Sequence, residues 1–261
     1  DSKRDRSRLP VIISGVRTPF MRSNKAFKSF SLFDLGQAVL SGLMGKIDFP
    51  AEELQYVIMG NVIQDPSTAN VARESMLGAG IPSHVPAHTV GLACISSNVA
   101  AGQLADMISL GRVDAGIASG VETFSDPPIR LSKPLRQALV RLGKARGLND
   151  YLKEMRSLSR KDIGLDIPKV QEFSNNHSMG QGAEILAKQT EVGRQKADEF
   201  ALRSHQNAVK AQQEGVFDDM VVPVGVPPRF EVISKDDGPR ADTSMESLSK
   251  LRAAFDRQFG I

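Results

Sequence analysis

Cys94 is the only cysteine of the chain, and it stands in His88-Thr-Val-Gly-Leu-Ala-Cys94-Ile-Ser-Ser-Asn-Val99, where a β-rich run gives way to a helical one. A cysteine at a strand-to-helix junction lies beside backbone N–H groups that have no intrahelical partner. Their dipoles favour the thiolate, the form that attacks a carbonyl carbon. They can also hold the oxyanion such an attack creates, so the position suits covalent acyl transfer. The same stretch equally describes a small hydrophobe packed beside Leu92 and Ile95. Local context leaves both readings open.

Other reactive side chains read as structural. His88 lies on a predicted strand and His205 on a predicted helix, each satisfied by its neighbours. Glu122 and Asp126 follow an apolar run and are expected to cap a turn. Four scattered histidines and one cysteine show no zinc-ligand spacing. Gly-rich phosphate motifs of the Rossmann or P-loop type are absent.

The elements that must position Cys94 follow from periodicity. The run 9–16 predicts a short buried strand. Ser31 predicts the N-cap of a helix through 46, with Leu32, Leu35, Val39, Leu40 and Leu43 on one face. Pro50 opens a second short helix; 56–62 reads as a strand, 70–77 as a helix ending at Gly78, and 88–93 as a strand. A helix over 97–110 and a buried strand over 115–121 complete this half. Strands alternating with helices argue for an α/β fold with a mainly parallel sheet.

The character changes at Asp126-Pro-Pro128. From there to about residue 240 the sequence is charged, helical and loop-rich, without a clear buried strand, and reads as an excursion inserted after a sheet strand. Helices are expected over 183–190, 194–214 and 245–254. Within the excursion, Leu131, Leu135, Leu139 and Leu142, then Leu148, Leu152, Met155 and Leu158, recur at three- or four-residue spacing, broken at Gly147-Leu-Asn-Asp150. This predicts a helical hairpin whose arms each have an apolar stripe and a cationic face. The span 130–163 holds ten Lys/Arg against three acids. That local +7 leaves about −4 for the rest of a chain whose net charge is +3. Tyr151 is the only aromatic in the basic span, which argues against nucleic-acid binding.

Hydrophobic residues at 41% and charged residues at 24% are ordinary for a globular protein. No apolar run approaches the ~18–20 residues of a membrane span. A single cysteine rules out an intrachain disulfide and fits a reducing compartment. The segment 1–8 is polar and basic, lacks the apolar core of a secretory signal, and reads as a processed or trimmed end.

Several stretches together carry a family resemblance: Val16-Arg-Thr-Pro-Phe20, Gly60-Asn-Val-Ile-Gln64, Asn70-Val-Ala-Arg-Glu74, Pro86-Ala-His-Thr-Val90, Ala93-Cys-Ile-Ser-Ser-Asn98, Gly120-Val-Glu-Thr-Phe-Ser-Asp126, Ser178-Met-Gly180, Arg203-Ser-His-Gln206 and Lys250-Leu-Arg-Ala-Ala-Phe255. In this order they resemble the thiolases, specifically the long-chain 3-ketoacyl-CoA thiolases of fatty-acid oxidation complexes, of the trifunctional-protein β-subunit type. The resemblance implies a thiolase-like layered α/β sheet in the N-terminal half with an inserted, mostly helical loop domain. It divides the chain into 9–126 (first part of the N-terminal domain), 127–239 (loop domain) and 240–261 (return segment). It implies that Cys94 takes the acyl group from a 3-ketoacyl-CoA, that Met179 lines the acyl and pantetheine pocket, and that Arg240 and Ser247 hold the CoA nucleotide and pantetheine. In some thiolases a histidine directly precedes the methionine; here Ser178 does, with His177 one step earlier, so no CoA contact by histidine is expected.

The implied reaction is β-oxidation thiolysis, with coenzyme A as a substrate, no permanently bound cofactor and no metal. The implied partners are a second copy of the chain and a hydratase/dehydrogenase α-subunit; the hairpin over 130–163 either packs its stripe on the body with its charge facing water, or docks on an anionic membrane surface or on a partner subunit that presents long-chain substrate. The implied compartment is the mitochondrial matrix side in a eukaryote and the cytoplasm in a bacterium. In thiolases a second copy of the fold carries an Asn-Glu motif, a Gly-His-Pro histidine and a Cys-x-Gly cysteine; none of these motifs occurs in these 261 residues. The chain alone is therefore expected to be inactive. Two further readings remain: a condensing ketoacyl synthase, disfavoured by the insertion after Asp126 and by Ser178-Met-Gly180, and a non-catalytic CoA- or membrane-binding fragment.

Overall fold

The computed structural model describes residues 8–167 and 171–260, with Met155 described in its backbone only. The basic end over 1–7 and the side chain of the stripe residue Met155 therefore lie outside the described residues. Two compact units emerge, one made of 1–126 with 180–261, the other of Pro127–Met179.

The first unit is built on three parallel strands, β1 (Val57–Gly60), β2 (Ala87–Val90) and β3 (Ile117–Gly120), in the order β2-β1-β3. Val57 pairs with Ala87 on one side and Ile117 on the other. The central strand is buried along its whole length, and its alternation explains why. Val57 and Met59 join one apolar cluster with Leu40, Val71, Met76 and Val85, while Ile58 joins another with Ala100 and Leu104. A strand covered on both faces needs apolar residues at every position, which is why 56–62 reads as a continuous apolar run.

Helices α1 (Leu32–Lys46) and α2 (Val71–Gly78) supply the first cover and α3 (Ser96–Ser109) the second. Helix α1 begins as expected: Ser31 accepts a hydrogen bond from the Asp34 amide, and the Asp34 carboxylate accepts one from the Ser31 amide. Asn70 caps α2 by accepting from the Arg73 amide. A single 3₁₀ turn over Ala51–Glu53 takes the place of the short helix expected at Pro50.

Three expectations need correction. The run 9–16 is not a buried strand. It has no ladder partner among the described residues, and Val11, Ile12 and Ile13 are exposed; an apolar run becomes a buried strand only where a neighbour offers backbone groups to pair with. The first ladder contact in this region is Arg17, which bridges Val221 in parallel. The excursion also contains a strand pair that was not expected, β6 (Val224–Val226) against β7 (Glu231–Ile233). Each strand has three residues, and only Val224 is buried, so the pair leaves almost no periodic signature. The helix expected over 245–254 closes at Ser249 as α8 (Met245–Ser249). Helices α6 (Met179–Gln189) and α7 (Arg194–Gln213) match expectation within a few residues.

Inside Pro127–Met179, β4 (Arg130–Leu131) pairs antiparallel with β5 (Leu165–Asp166), framing α4 (Lys133–Leu142) and α5 (Leu148–Ser157). Ser132 caps α4 through the Leu135 amide, and an Arg141–Glu154 ion pair at 2.6 Å ties the two arms. Asp166 meets both Arg130 and Arg136.

Candidate active site

The carboxyl ends of the three parallel strands converge on one turn, 91–96. Ligands of open parallel α/β sheets gather at this edge. Backbone bonds lace the strand ends together: the Asn61 amide donates to the Val90 carbonyl at 3.1 Å, and the Val121 amide donates to the Gly60 carbonyl at 3.0 Å. The Asn61 side chain is buried and donates to the Val121 carbonyl at 3.1 Å.

Strand β2 ends at Val90, short of the expected 93, because Ala93 turns the chain with φ of +46°. A left-handed conformation costs a residue with a Cβ roughly 1–2 kcal/mol, so surrounding contacts must hold it. The Ile95 amide donates to the Leu92 carbonyl at 3.3 Å and the Ser96 amide to the Ala93 carbonyl at 3.1 Å. Two glycines let this turn sit close on the sheet. A Cβ on Gly60 would lie 2.5 Å from the Ser97 amide nitrogen, and one on Gly120 would overlap the Ser97 hydroxyl.

The turn presents Cys94 as a free, exposed cysteine one residue before the Ile95 N-cap of α3. That exposure removes the reading of Cys94 as a buried filler. Leu92 and Ile95 on either side are also more than half exposed, so the sulfur stands in an open apolar rim.

Glu122 does more than cap a turn. Its carboxylate accepts from the amides of Val62 at 3.0 Å, Ile63 at 3.1 Å and Thr123 at 3.2 Å, and from the Asn61 side chain at 3.5 Å. It gathers the loop after β1 onto the end of β3. Asp126 is exposed. His88 is satisfied as expected, by Gln103 at 3.2 Å and by edge contact with the Tyr56 ring.

The remaining candidates sit on other elements. Met179 opens α6 and is 41% exposed. The Arg240 amide donates to Nδ1 of His205 on α7 at 3.2 Å, so that histidine holds the backbone of a candidate CoA-binding residue. Ser247 lies in α8, where it and Ser244 form a reciprocal capping box. No hydrogen bond or ion pair joins Cys94 to Arg240 or Ser247 among the described residues. An open cavity of about 740 Å³ lies at the opposite edge of the sheet, lined by Phe49, Glu52, His84, Val85 and Asp114, and takes in none of the candidate residues. No group of three potential metal ligands occurs among the described residues.

A parallel sheet whose strand ends carry an exposed cysteine on a strained strand-to-helix turn defines a class, and the chain belongs to it: residues 10–261 match the thiolase family through its "Thiolase, N-terminal domain". The thiolase-like α/β fold stated above is thereby shown, and a solved structure agrees. The Bacillus anthracis acetyl-CoA acetyltransferase superposes with a TM-score of 0.81 at 32% identity, covering 96% of this chain and 59% of that one. The mouse protein named "Trifunctional enzyme subunit beta, mitochondrial" is 42% identical over 250 residues, 96% of this chain and 52% of the relative. A Photobacterium profundum "3-ketoacyl-CoA thiolase" is 40% identical over 250 residues, 96% of this chain and 57% of the relative. The chain thus spans about half the length of the curated relatives it matches.

Proposed function

We propose that Cys94 is the acyl acceptor of a 3-ketoacyl-CoA thiolase acting in fatty-acid β-oxidation. The observation that carries this reading is the exposed sulfur on the 91–96 turn above the strand ends, in a chain of the thiolase family. The Cys94 thiolate attacks the 3-keto carbon of the substrate. The bond between Cα and Cβ breaks, its electron pair stays on the acetyl-CoA carbon, and that carbon takes up a proton. The shortened acyl group remains on sulfur as a thioester. The thiol of a second coenzyme A attacks this thioester and loses its proton, and Cys94 departs as thiolate. The Cys94 backbone N–H is a proposed donor to the oxyanion.

Coenzyme A enters as substrate, and no permanent cofactor is invoked. Met179, Arg240 and Ser247 are the proposed contacts to it; the Ser247 hydroxyl can accept from pantetheine while keeping its cap to Ser244. The loop domain is proposed to extend over 127–239, with 240–261 returning to the domain of 9–126. The base and proton donor are proposed to lie outside these 261 residues, so the chain alone should turn over negligibly. The name of the mouse relative supports a mitochondrial setting in a eukaryote; a hydratase/dehydrogenase α-subunit partner, a cytoplasmic setting in a bacterium and pairing of two copies through the first domain are proposed with it.

The test is direct. Incubation of the whole gene product with a 3-ketoacyl-CoA, followed by acid quench, should leave the acyl mass on the peptide carrying Cys94, and Cys94→Ala should abolish both the adduct and thiolysis. Thiolysis retained in Cys94→Ala sinks the mechanism.

A second reading concerns 130–163. Val140, Leu148, Tyr151 and Leu152 are exposed on a hairpin with a +7 balance. We propose that it docks on an anionic membrane, where each Lys or Arg contributes about 1 kcal/mol, weakened by salt. Binding to cardiolipin-containing liposomes should disappear at high salt and weaken on charge reversal at Arg141, Lys144 and Arg146, with thiolysis of a short soluble substrate unchanged. Salt-independent binding, or none, reduces the hairpin to a structural insertion.

A further inference from the structure

We propose that Ser96 is a positioning residue that locks the turn carrying Cys94 into its left-handed form. The inference rests on the reading of Cys94 as acyl acceptor and deepens it. Ser96 is 3% exposed, and its hydroxyl is used twice. It accepts from the Leu92 amide at 2.8 Å and donates to the Ala93 carbonyl at 2.6 Å. Both partners precede Cys94, so the hydroxyl spans the nucleophile from the far side and ties the two ends of the turn together.

A serine at a helix start usually serves as an N-cap, whose side chain accepts from amides further along the helix. Ser96 does the reverse. It is the first residue inside α3, the N-cap is Ile95, and that cap makes no side-chain bond. The hydroxyl reaches backwards, towards the one residue of the turn in a conformation unfavourable for a side chain, Ala93. Gly60 seats the Ser96–Ser97 backbone, and Gly120 the Ser97 side chain, against the strand ends, so the clamp is anchored to the sheet. Without the hydroxyl, Ala93 gains by relaxing to negative φ, and the Cys94 sulfur swings with it.

Acyl transfer and simple alkylation depend differently on that swing. Attack on the 3-keto carbon needs sulfur and oxyanion donors in register, and a misplacement of about 1 Å can cost on the order of 100-fold. Alkylation by iodoacetamide needs only an accessible sulfur. The ratio of the two rates on the Cys94 peptide therefore reads positioning, whereas a loss of folded protein lowers both alike.

The experiment measures acylation by a 3-ketoacyl-CoA and alkylation by iodoacetamide in the whole gene product, with folding followed by circular dichroism. In Ser96→Ala the ratio should fall roughly 10- to 100-fold, with alkylation changed less than about threefold. Glycine accepts positive φ without penalty, so Ala93→Gly combined with Ser96→Ala should recover most of the ratio. It also keeps the test open if Ser96→Ala alone does not fold. A wild-type ratio in folded Ser96→Ala overturns the proposal. So does a folded double variant that stays impaired, or failure of both variants to fold, which would make Ser96 a plain core residue. An unmodified protein that is alkylated but never acylated overturns the acyl-acceptor reading itself, a separate result.

Discussion

The β1 strand and the 130–163 hairpin both carry apolar residues at regular spacing, and they use them in opposite ways. Val57, Ile58 and Met59 are fully buried, because α1 and α2 cover one face of the sheet and α3 the other. In the hairpin only Ala138 is buried among the described residues of its two helices, while the stripe residues Leu139 and Leu148 are 48% and 75% exposed. Periodicity specifies which face of an element is apolar. It does not specify what covers that face.

The contrast can be broken most forcefully at its buried end. Met59→Ala should lower unfolding free energy by about 2–5 kcal/mol, since it removes a fully buried side chain between α1, α2 and the sheet. Equilibrium denaturation checks it, and a loss below about 1 kcal/mol would mean the sheet core repacks freely. Gly60→Ala should cost about 1–3 kcal/mol, because the added methyl meets Ser96–Ser97 backbone rather than a movable side chain. The same variant should slow acylation of Cys94, whereas Met59→Ala should leave the rate per folded molecule near normal. Glu122→Ala should cost about 1–3 kcal/mol by leaving the Val62 and Ile63 amides without their acceptor. Hydrogen exchange at those two amides should rise while exchange in β1 stays slow.

At the exposed end, Leu148→Ala should move stability by no more than about 0.5 kcal/mol. A larger loss would show that the hairpin face is covered in solution. The smallest effect concerns acid. The Lys188 ammonium, hydrogen-bonded to Asp256, holds that carboxyl down at about 2, with the Phe259 amide assisting. A depressed carboxylate contributes stability above its unfolded value and loses it as pH falls through the folded one. Lys188→Met should therefore be slightly less stable than the parent at pH 5 and indistinguishable from it below pH about 2.

Much of this was legible in the chain. The three parallel strands and the helices between them follow from buried runs and capping residues such as Ser31 and Asn70. Cys94 was legible as a residue at a strand-to-helix junction, but its exposure was not, because Leu92 and Ile95 look like core residues on either side. Ser96 escaped notice because its partners are backbone groups of Leu92 and Ala93, which carry no side-chain signature. Glu122 escaped because its partners are backbone amides some 60 residues away, which carry no side-chain signature. The run 9–16 failed in the other direction: Val11, Ile12 and Ile13 have the composition of a strand, and composition does not supply a pairing partner.

The pairing around Arg17 sets a timetable for synthesis. Its guanidinium grips Asp236 through two bonds, at 2.7 and 2.9 Å, and lies against the rings of Phe20 and Phe217. Asp236 stands 219 positions downstream. At ribosomal rates of about 5–20 residues per second, Arg17 leaves the tunnel tens of seconds before that carboxylate is made. The exposed apolar run at 9–13 is fastened earlier at its other end, where Arg8 donates to the Ile108 carbonyl and to the Asp114 carboxylate. In a nascent chain of this sequence the two flanks of that run are therefore fixed in turn, Arg8 first and Arg17 only when Asp236 has been made.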